Sequence, residues 1–105
     1  MPERPAVVVY CAQPCLREIL AGLEEEGVPA RVELRDDMDA TTLAFLAAQE
    51  SALDVGIGAD TSGAVCVHHA KLPPSCPALL APAAQARRLG HNAARLVTRI
   101  PFKTP

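Results

Sequence analysis

The sequence predicts an α/β fold in which helices flank an open, mixed, mainly parallel sheet. Three observations support this class. The run AVVVY at residues 6–10 has no polar alternation, which is typical of a strand covered on both faces. A helical pattern follows it directly, as in a strand–helix–strand unit. With 105 residues, the chain is expected to form one compact domain, residues 1–105.

The first half of the chain contains two predicted strand–helix pairs. The strand at 6–10 is expected to be the central strand of the sheet. Apolar residues from Leu16 to Leu23 then recur at i, i+3, i+4 and i+7, which predicts a helix that ends at Gly27. Residues 30–34 are predicted to form the second strand, and residues 41–51 an alanine-rich second helix.

The second half of the chain is predicted to contain a hairpin, a short strand and a helix. Residues 54–70 hold two strand-like runs around a polar turn. A proline-rich stretch follows, in which residues 78–81 could form a short last strand. The apolar spacing from Leu89 to Ile100 predicts a closing helix that Pro101 ends.

Composition and charge exclude several function classes. The net charge is −2 and only 3% of the residues are aromatic, which argues against a nucleic-acid partner. No run of 18 apolar residues is present, so no membrane span is expected. The N-terminal residues lack the pattern of a secretory signal, and a cytoplasmic location is expected.

The four cysteines have no repeated spacing, and a reducing compartment would keep them as thiols. Cys11 and Cys15 form C-x-x-x-C, which differs from the C-x-x-C of redox and zinc sites. A small thiol or metal protein that uses these two residues stays open as an alternative.

The glycine-rich stretch GIGADTSGAV could suggest a nucleotide site. Gly58 and Gly63 have the G-x-x-x-x-G spacing of a phosphate-binding loop, but Ala64 and Val65 stand where Lys and Ser or Thr are required. The stretch also joins two predicted strands and opens no helix. A hairpin turn is therefore predicted.

Two polar motifs receive structural interpretations. His68 and His69 are adjacent on a predicted strand, so their side chains point to opposite faces, one packed and one exposed, and cannot chelate one ion together. Asp37 and Asp39 form D-x-D, which could bind a cation, but their place before a helix favours a turn and an N-cap. No complete active site is apparent.

The segment LEEEGVP at residues 23–29 places three carboxylates at a helix C-terminus, where they oppose the helix dipole. At about 100° per residue, Glu25 points almost directly away from the apolar face. Its neighbours at i−4 and i−3 are Ala21 and Gly22, which offer no basic partner within the helix and little bulk. Glu25 is therefore a candidate contact residue; a solvated helix end is the alternative.

Three segments together resemble a known family: REILAGLEEEGVP (17–29), LDVGIGADTSGAVCVHHAKLP (53–73) and LGHNAARLVTRIPF (89–102). In this order they are similar to the small subunit of the diol dehydratase and glycerol dehydratase reactivating factors. The shared features are a glutamate-rich helix end before G-[VI]-P, a VGI strand, an H-x-x-LP turn and a G-x-N-A-x-x-L-V helix. His69 and Asn92 match this pattern, which assigns them no role beyond turn and packing.

The resemblance implies a non-catalytic subunit with a chaperone-like function. In this family a large subunit with an actin-like ATPase fold holds ATP or ADP and pairs with the small subunit, in a hetero-oligomer expected to contain two of each. The complex frees inactivated dehydratase of damaged adenosylcobalamin. The small subunit resembles a dehydratase subunit and exchanges with it transiently.

The resemblance also implies a site. By position, Glu25 is the glutamate that approaches a magnesium ion held mainly by the large subunit, and the expected partner interface contains Ala21, Gly22, Glu24 and Glu25. The alternative is a small structural subunit of an adenosylcobalamin-dependent diol or glycerol dehydratase itself. The preferred client enzyme, the stoichiometry, association with a bacterial microcompartment and the roles of the cysteines and histidines stay open.

Overall fold

Strands and helices alternate along most of the chain. The computed structural model describes residues 4–11 and 16–98. A short 3-10 turn, Ala83–Gln85, precedes the last helix. The elements in chain order are β1 (Val7–Cys11), α1 (Leu16–Glu25), β2 (Ala30–Leu34), α2 (Ala40–Glu50), β3 (Val55–Ala59), β4 (Ala64–His69), β5 (Leu79–Pro82) and α3 (Ala86–Thr98).

The five strands form one mixed sheet in the order β2-β1-β3-β4-β5. β1 pairs in parallel with β2 and β3, whereas β4 is antiparallel to β3 and β5 to β4. This confirms the predicted fold class. The prediction that β1 is the central strand was wrong. β3 is in the middle, because β4 and β5 extend the sheet on the side of β3 that faces away from β1. All five residues of β1 are nevertheless buried, as its apolar run predicts.

Most predicted elements are present with small shifts. The predicted β2 has the observed bounds, and α2 and β5 differ from prediction by a residue at each end. The third helix begins at Ala86, three residues before Leu89. Its predicted end at Ile100 and Pro101 lies outside the described residues. Within residues 4–11 and 16–98, no helix is both long and apolar enough to cross a membrane.

The helices cover both faces of the sheet. Ile19 and Leu23 of α1 share a buried cluster with Leu89 of α3 and with Val7 and Val9 of β1. The alternate side chains of β1 face the other way, where they pack against α2. One core therefore lies under the pair α1 and α3, and a second under α2.

The helix α1 ends at the predicted glycine. The Gly27 N–H donates to the Glu24 carbonyl oxygen (2.9 Å), and the Val28 N–H donates to the Leu23 carbonyl oxygen (3.1 Å). These two bonds are those of a Schellman motif, which requires a left-handed residue after the helix. Gly27 supplies it with φ +75°.

Two glycines of β3 explain the glycine-rich sequence. A Cβ on Gly56 would overlap the backbone of Ala44 and Ala48, and one on Gly58 would overlap the backbone of Ala40 and Ala44. The alanine-rich α2 therefore lies directly on β3, at a distance that only glycine permits on that face. The turn between β3 and β4 joins two strands, as predicted, with Gly63 at φ +93°.

Two aspartates hold the N-terminus of α2. Asp39 accepts a hydrogen bond from the Thr42 N–H (3.4 Å), which confirms the predicted N-cap. The second aspartate is Asp60 of the hairpin turn, which accepts from the Ala40 N–H (2.9 Å). Asp37, the other member of D-x-D, instead pairs with Arg35 (3.0 Å).

Candidate functional site

The C-terminal half of α1 packs directly on α3 through two glycines. A Cβ on Gly22 would overlap the carbonyl oxygen of Arg87, and a Cβ on Gly90 would overlap that of Ile19. Gly22 is buried in this contact. The space left by its missing side chain is therefore filled by the chain's own third helix, and not by the surface of another protein, as the small size of Gly22 suggests from the sequence.

The close packing brings Glu25 to a guanidinium and an imidazole of α3. Arg87 donates twice to the Glu25 carboxylate, from Nη2 to Oε2 (2.8 Å) and from Nε to Oε1 (3.1 Å). His91 Nε2 lies 2.9 Å from Glu25 Oε1. The inference that Glu25 has no basic partner within its own helix is correct. Glu25 is nevertheless paired, because α3 supplies its partners.

Glu26 continues this cluster along the helix pair. His91 Nδ1 lies 3.2 Å from Glu26 Oε2, so the imidazole bridges the two glutamates. Arg95 Nε lies 3.6 Å from Glu26 Oε1. Arg87, His91 and Arg95 are four residues apart and thus lie on one face of α3.

This cluster explains why α1 tolerates acids in its last turn. Carboxylates at a helix C-terminus are unfavourable by themselves, and α1 has no basic residue in that turn. Arg87 and Arg95 of α3 supply the missing charge. The hydrogen bond and charge of Arg87, and those of His91, hold the pKa of Glu25 below its usual value. The R-x-x-x-H-x-x-x-R spacing at residues 87–95 is the sequence signal that could have revealed these partners.

The four predicted interface residues lie at one end of α1 but differ in exposure. Glu24 is exposed, Ala21 is half-buried and Gly22 is buried against α3. The Glu25 side chain keeps 45% of its surface exposed despite its partners. Glu24 and Glu25 are therefore the two members that a second chain could reach most directly.

A divalent cation could use Glu25 only together with ligands from elsewhere. Among residues 4–11 and 16–98, no group of three or more His, Cys, Asp or Glu side chains could hold a metal ion. The exposed carboxylate of Glu25 is a suitable hard oxygen ligand. A metal ion at Glu25 would therefore need further ligands from outside the described residues.

The cysteines of the described residues do not form a redox pair. Cys11 is buried in β1 and Cys15 lies outside the described residues, so the structure does not describe the C-x-x-x-C pair. Cys66 is also buried, and burial raises the pKa of its thiol to about 11. Cys76 is exposed.

The two adjacent histidines have structural surroundings. His68 is fully buried, its ring packs edge-on to Phe45 with centroids 5.2 Å apart, and its Nε2 lies 3.2 Å from the Pro74 carbonyl oxygen. His69 accepts a hydrogen bond from the Lys71 N–H at Nδ1 (3.1 Å). The prediction that one of the two histidines is packed is confirmed by His68, while His69 is half-buried where an exposed side chain was expected.

Comparisons with known proteins identify the family. The family model for the dehydratase medium subunit matches residues 4–103. The chain is 45% identical over 92 residues to a probable glycerol dehydratase-reactivating factor small subunit of Citrobacter freundii, covering 83% of this chain and 79% of that protein. It is 41% identical over 106 residues to a propanediol dehydratase-reactivating factor small subunit of the same species, covering 94% and 90%.

Solved structures agree with these sequence relatives. A glycerol dehydratase reactivase matches with a TM-score of 0.88 and 36% identity over 96% of this chain and 98% of that chain. A diol dehydratase-reactivating factor complexed with ADP and Mg²⁺ matches with a TM-score of 0.85 and 36% identity over 97% and 100%. The chain therefore belongs to the dehydratase medium-subunit family, and the resemblance of its motifs to the small subunits of dehydratase-reactivating factors is confirmed.

Proposed function

We propose that this chain is the small subunit of a dehydratase-reactivating factor, a chaperone-like complex that frees inactivated diol or glycerol dehydratase of damaged adenosylcobalamin. The observation that carries this proposal is similarity over nearly whole chains. Curated relatives with this function are matched over 79% to 90% of their length, and the solved reactivase chains over 98% and 100%. A cytoplasmic location fits this function.

The partner is a large ATPase subunit, with two large and two small chains in the complex. The small chain leaves the large one when a dehydratase subunit takes its place, and this exchange loosens the inactivated enzyme so that the cofactor escapes. An interface with this task must be reversible and more polar than an obligate one. The charged end of α1 has that character.

Nucleotide chemistry belongs to the large subunit in this proposal. The glycines of β3 serve the packing of α2, since a side chain on Gly56 or Gly58 would overlap that helix. The stretch also lacks the lysine that a phosphate-binding loop needs. The isolated small chain is therefore expected neither to bind nor to hydrolyse ATP, and measurable turnover by the pure chain would contradict this assignment.

Glu25 is the residue of this chain that contacts magnesium at the interface, beside Ala21 and Glu24, whereas Gly22 of the expected interface is covered by α3. Its exposed carboxylate supplies one hard oxygen ligand, and the large subunit supplies the others. The Mg²⁺ in the complex of the similar diol dehydratase-reactivating factor supports a role for this ion in the partnership.

A second candidate function follows from the family's own description. A medium subunit of the dehydratase would share this family model, so the chain could be a small structural subunit of the lyase itself. Native purification separates the two functions. A reactivase subunit should copurify with one ATPase chain, whereas a lyase subunit should copurify with cobalamin and catalytic chains.

The exchange step has a direct test. Labelled small chain, bound to its large partner, should be released when inactivated dehydratase is added, and faster when nucleotide is present. Retention of the label while the dehydratase regains activity would make the chain a fixed subunit and would refute exchange.

The interface role of Glu25 is tested by Glu25→Gln. This variant should weaken association with the large subunit, most clearly at limiting magnesium. Glu18→Gln is the matched control, because Glu18 is an exposed acid two turns earlier on the same helix. An equal loss from both variants would indicate a general charge effect.

A further inference from the structure

We infer that Arg87 and His91 form an internal clasp on Glu25 that a partner-held cation must displace. This inference rests on the proposed function of the α1 end as the interface with the large subunit. It assigns Arg87 and His91 a role as positioning residues, which set how readily that interface forms and comes apart.

The first step is the occupancy of the carboxylate. Glu25 Oε1 lies 3.1 Å from Arg87 Nε and 2.9 Å from His91 Nε2, while Oε2 lies 2.8 Å from Arg87 Nη2. Each carboxylate oxygen can accept about two such contacts. Oε1 is therefore fully used, and Oε2 has room for one more ligand.

The second step is charge. A divalent cation on Oε2 would come close to the Arg87 guanidinium, which is always charged. Both positive groups would compete for the same oxygen, and their mutual repulsion is strong at such short distance. The Glu25 carboxylate can thus bind either Arg87 or the incoming ion strongly, but not both at once.

The third step is that the clasp can open without moving the helices. Gly22 and Gly90 fix the separation of α1 and α3 through backbone contact. The side chains of Glu25 and Arg87 are 45% and 53% exposed, so each can rotate into solvent. Glu26 also keeps partners of its own on α3, His91 Nδ1 at 3.2 Å and Arg95 Nε at 3.6 Å.

The consequence concerns reversibility. An exposed ion pair is weak, so it lowers the affinity of Glu25 for a cation without abolishing it. When the small chain dissociates, Arg87 recaptures the carboxylate within the same molecule. The clasp therefore favours release as well as opposing assembly, which suits a subunit that must be exchanged.

The experiment measures association of the small chain with its large partner while Mg²⁺ is titrated. Arg87→Gln removes both bonds to Glu25 and should lower the half-saturating Mg²⁺ concentration roughly two- to fivefold, the range expected for an exposed ion pair. Arg87→Lys keeps the charge without the two-bond geometry and should give a smaller decrease. His91→Gln should shift the titration in the same direction.

Arg88→Gln is the matched control. It removes the same charge from the next position of α3, where Arg88 is exposed, and the described contacts of Glu25 are with Arg87 and His91. Its half-saturating Mg²⁺ should equal that of the unchanged chain. Circular dichroism of every variant, recorded before the titration, checks that the fold is intact.

The outcomes separate the clasp from the proposed function. If the unchanged chain associates and responds to Mg²⁺ but Arg87→Gln needs as much or more of the ion, the clasp is refuted and the proposed function stands. If the unchanged chain does not associate with the large subunit at any Mg²⁺ concentration, both are refuted. A lower requirement in Arg87→Gln and not in Arg88→Gln supports the clasp.

Discussion

Glu25 and Arg87 form an ion pair with two hydrogen bonds, 2.8 and 3.1 Å long, between residues 62 positions apart in sequence. Helical-wheel reasoning considers only partners three or four residues away on the same helix. By that measure Glu25 is isolated. The packing of α1 on α3 reverses this conclusion, because Gly22 and Gly90 let the two backbones touch and bring the charges together.

The first prediction concerns that helix contact. Gly90→Ala should lower the free energy of unfolding by about 1–3 kcal/mol, the usual cost of overpacking a tight contact. The new Cβ would overlap the Ile19 carbonyl oxygen, which is backbone and cannot rotate away. Urea unfolding followed by circular dichroism measures the change.

Arg88→Ala provides the control for this variant, because Arg88 is an exposed residue of the same helix. Its unfolding free energy should stay within about 0.5 kcal/mol of the unchanged chain. Glycine is a poor helix former, so without the overlap Gly90→Ala should be stabilising by roughly 0.5–1 kcal/mol. A gain of stability would therefore show that the two helices are not in backbone contact.

Local patterns were sufficient to predict most of the fold. The β-branched run of β1, the apolar stripe of α1 and the glycine at its end each depend on neighbours within a few residues. The left-handed Gly27 is an example, since its motif needs only the preceding turn of helix. The Asp39 cap was predictable for the same reason.

Features that depend on distant residues were not predictable in this way. The glycine-rich stretch predicts two strands and a turn but not why β3 needs glycine: Gly56 and Gly58 permit contact with α2, an element that precedes them in the chain. The middle position of β3 follows from where the hairpin adds its strands. The partners of Glu25 and the second aspartate at α2 likewise come from other elements.

The second prediction concerns Asp60 and pH. Burial raises the pKa of this carboxyl, but hydrogen bonds from Ser62, Ala40 and Ala64 outweigh it and leave the pKa lowered. A lowered folded-state pKa contributes stability that is present above the unfolded value of about 4 and is lost as pH falls through the folded value. Stability should therefore decline below about pH 4, partly through Asp60.

Asp60→Asn tests this contribution. The variant should be less stable at pH 7 by about 1–2 kcal/mol, as when a helix cap is lost, because one oxygen that accepts N–H bonds is replaced by a donor. As the pH falls below 7, the unfolding free energy of the variant should decrease less than that of the unchanged chain. Asp36→Asn, at an exposed position, is the control. Parallel acid profiles for Asp60→Asn and the unchanged chain would rule out the proposed linkage.

The third prediction concerns thiol reactivity. Burial raises the pKa of Cys66 to about 11, so at pH 8 almost none of it is thiolate, and the side chain is also shielded from reagents. Cys76 is exposed. A brief treatment of the folded chain with iodoacetamide, followed by peptide mass mapping, should find Cys76 alkylated and Cys66 unmodified.

The same treatment in denaturant is the control, and it should label both cysteines. Equal labelling of Cys66 and Cys76 in the folded chain would mean that the sheet opens often enough to expose β4. Such a result would contradict the buried position of Cys66 between the sheet and α2.

The last prediction concerns His68, which links β4 to the proline-rich segment that follows it. Its Nε2 lies 3.2 Å from the Pro74 carbonyl oxygen, and its Nδ1 lies 3.0 Å from both the N–H and the carbonyl oxygen of His69, so the ring contacts polar backbone groups of both residues. His68→Leu keeps an apolar side chain in the core but leaves these backbone groups without this partner. We expect a loss of about 1–3 kcal/mol in unfolding free energy, the cost of unsatisfied buried polar groups. Hydrogen exchange should also become faster in residues 70–77, because the segment loses its bond to the sheet.

His69→Leu is the matched control. The half-buried His69 ring accepts a hydrogen bond from the Lys71 N–H, and water can replace the ring as the acceptor. If both variants loosened residues 70–77 equally, His68 would have no special role in holding that segment.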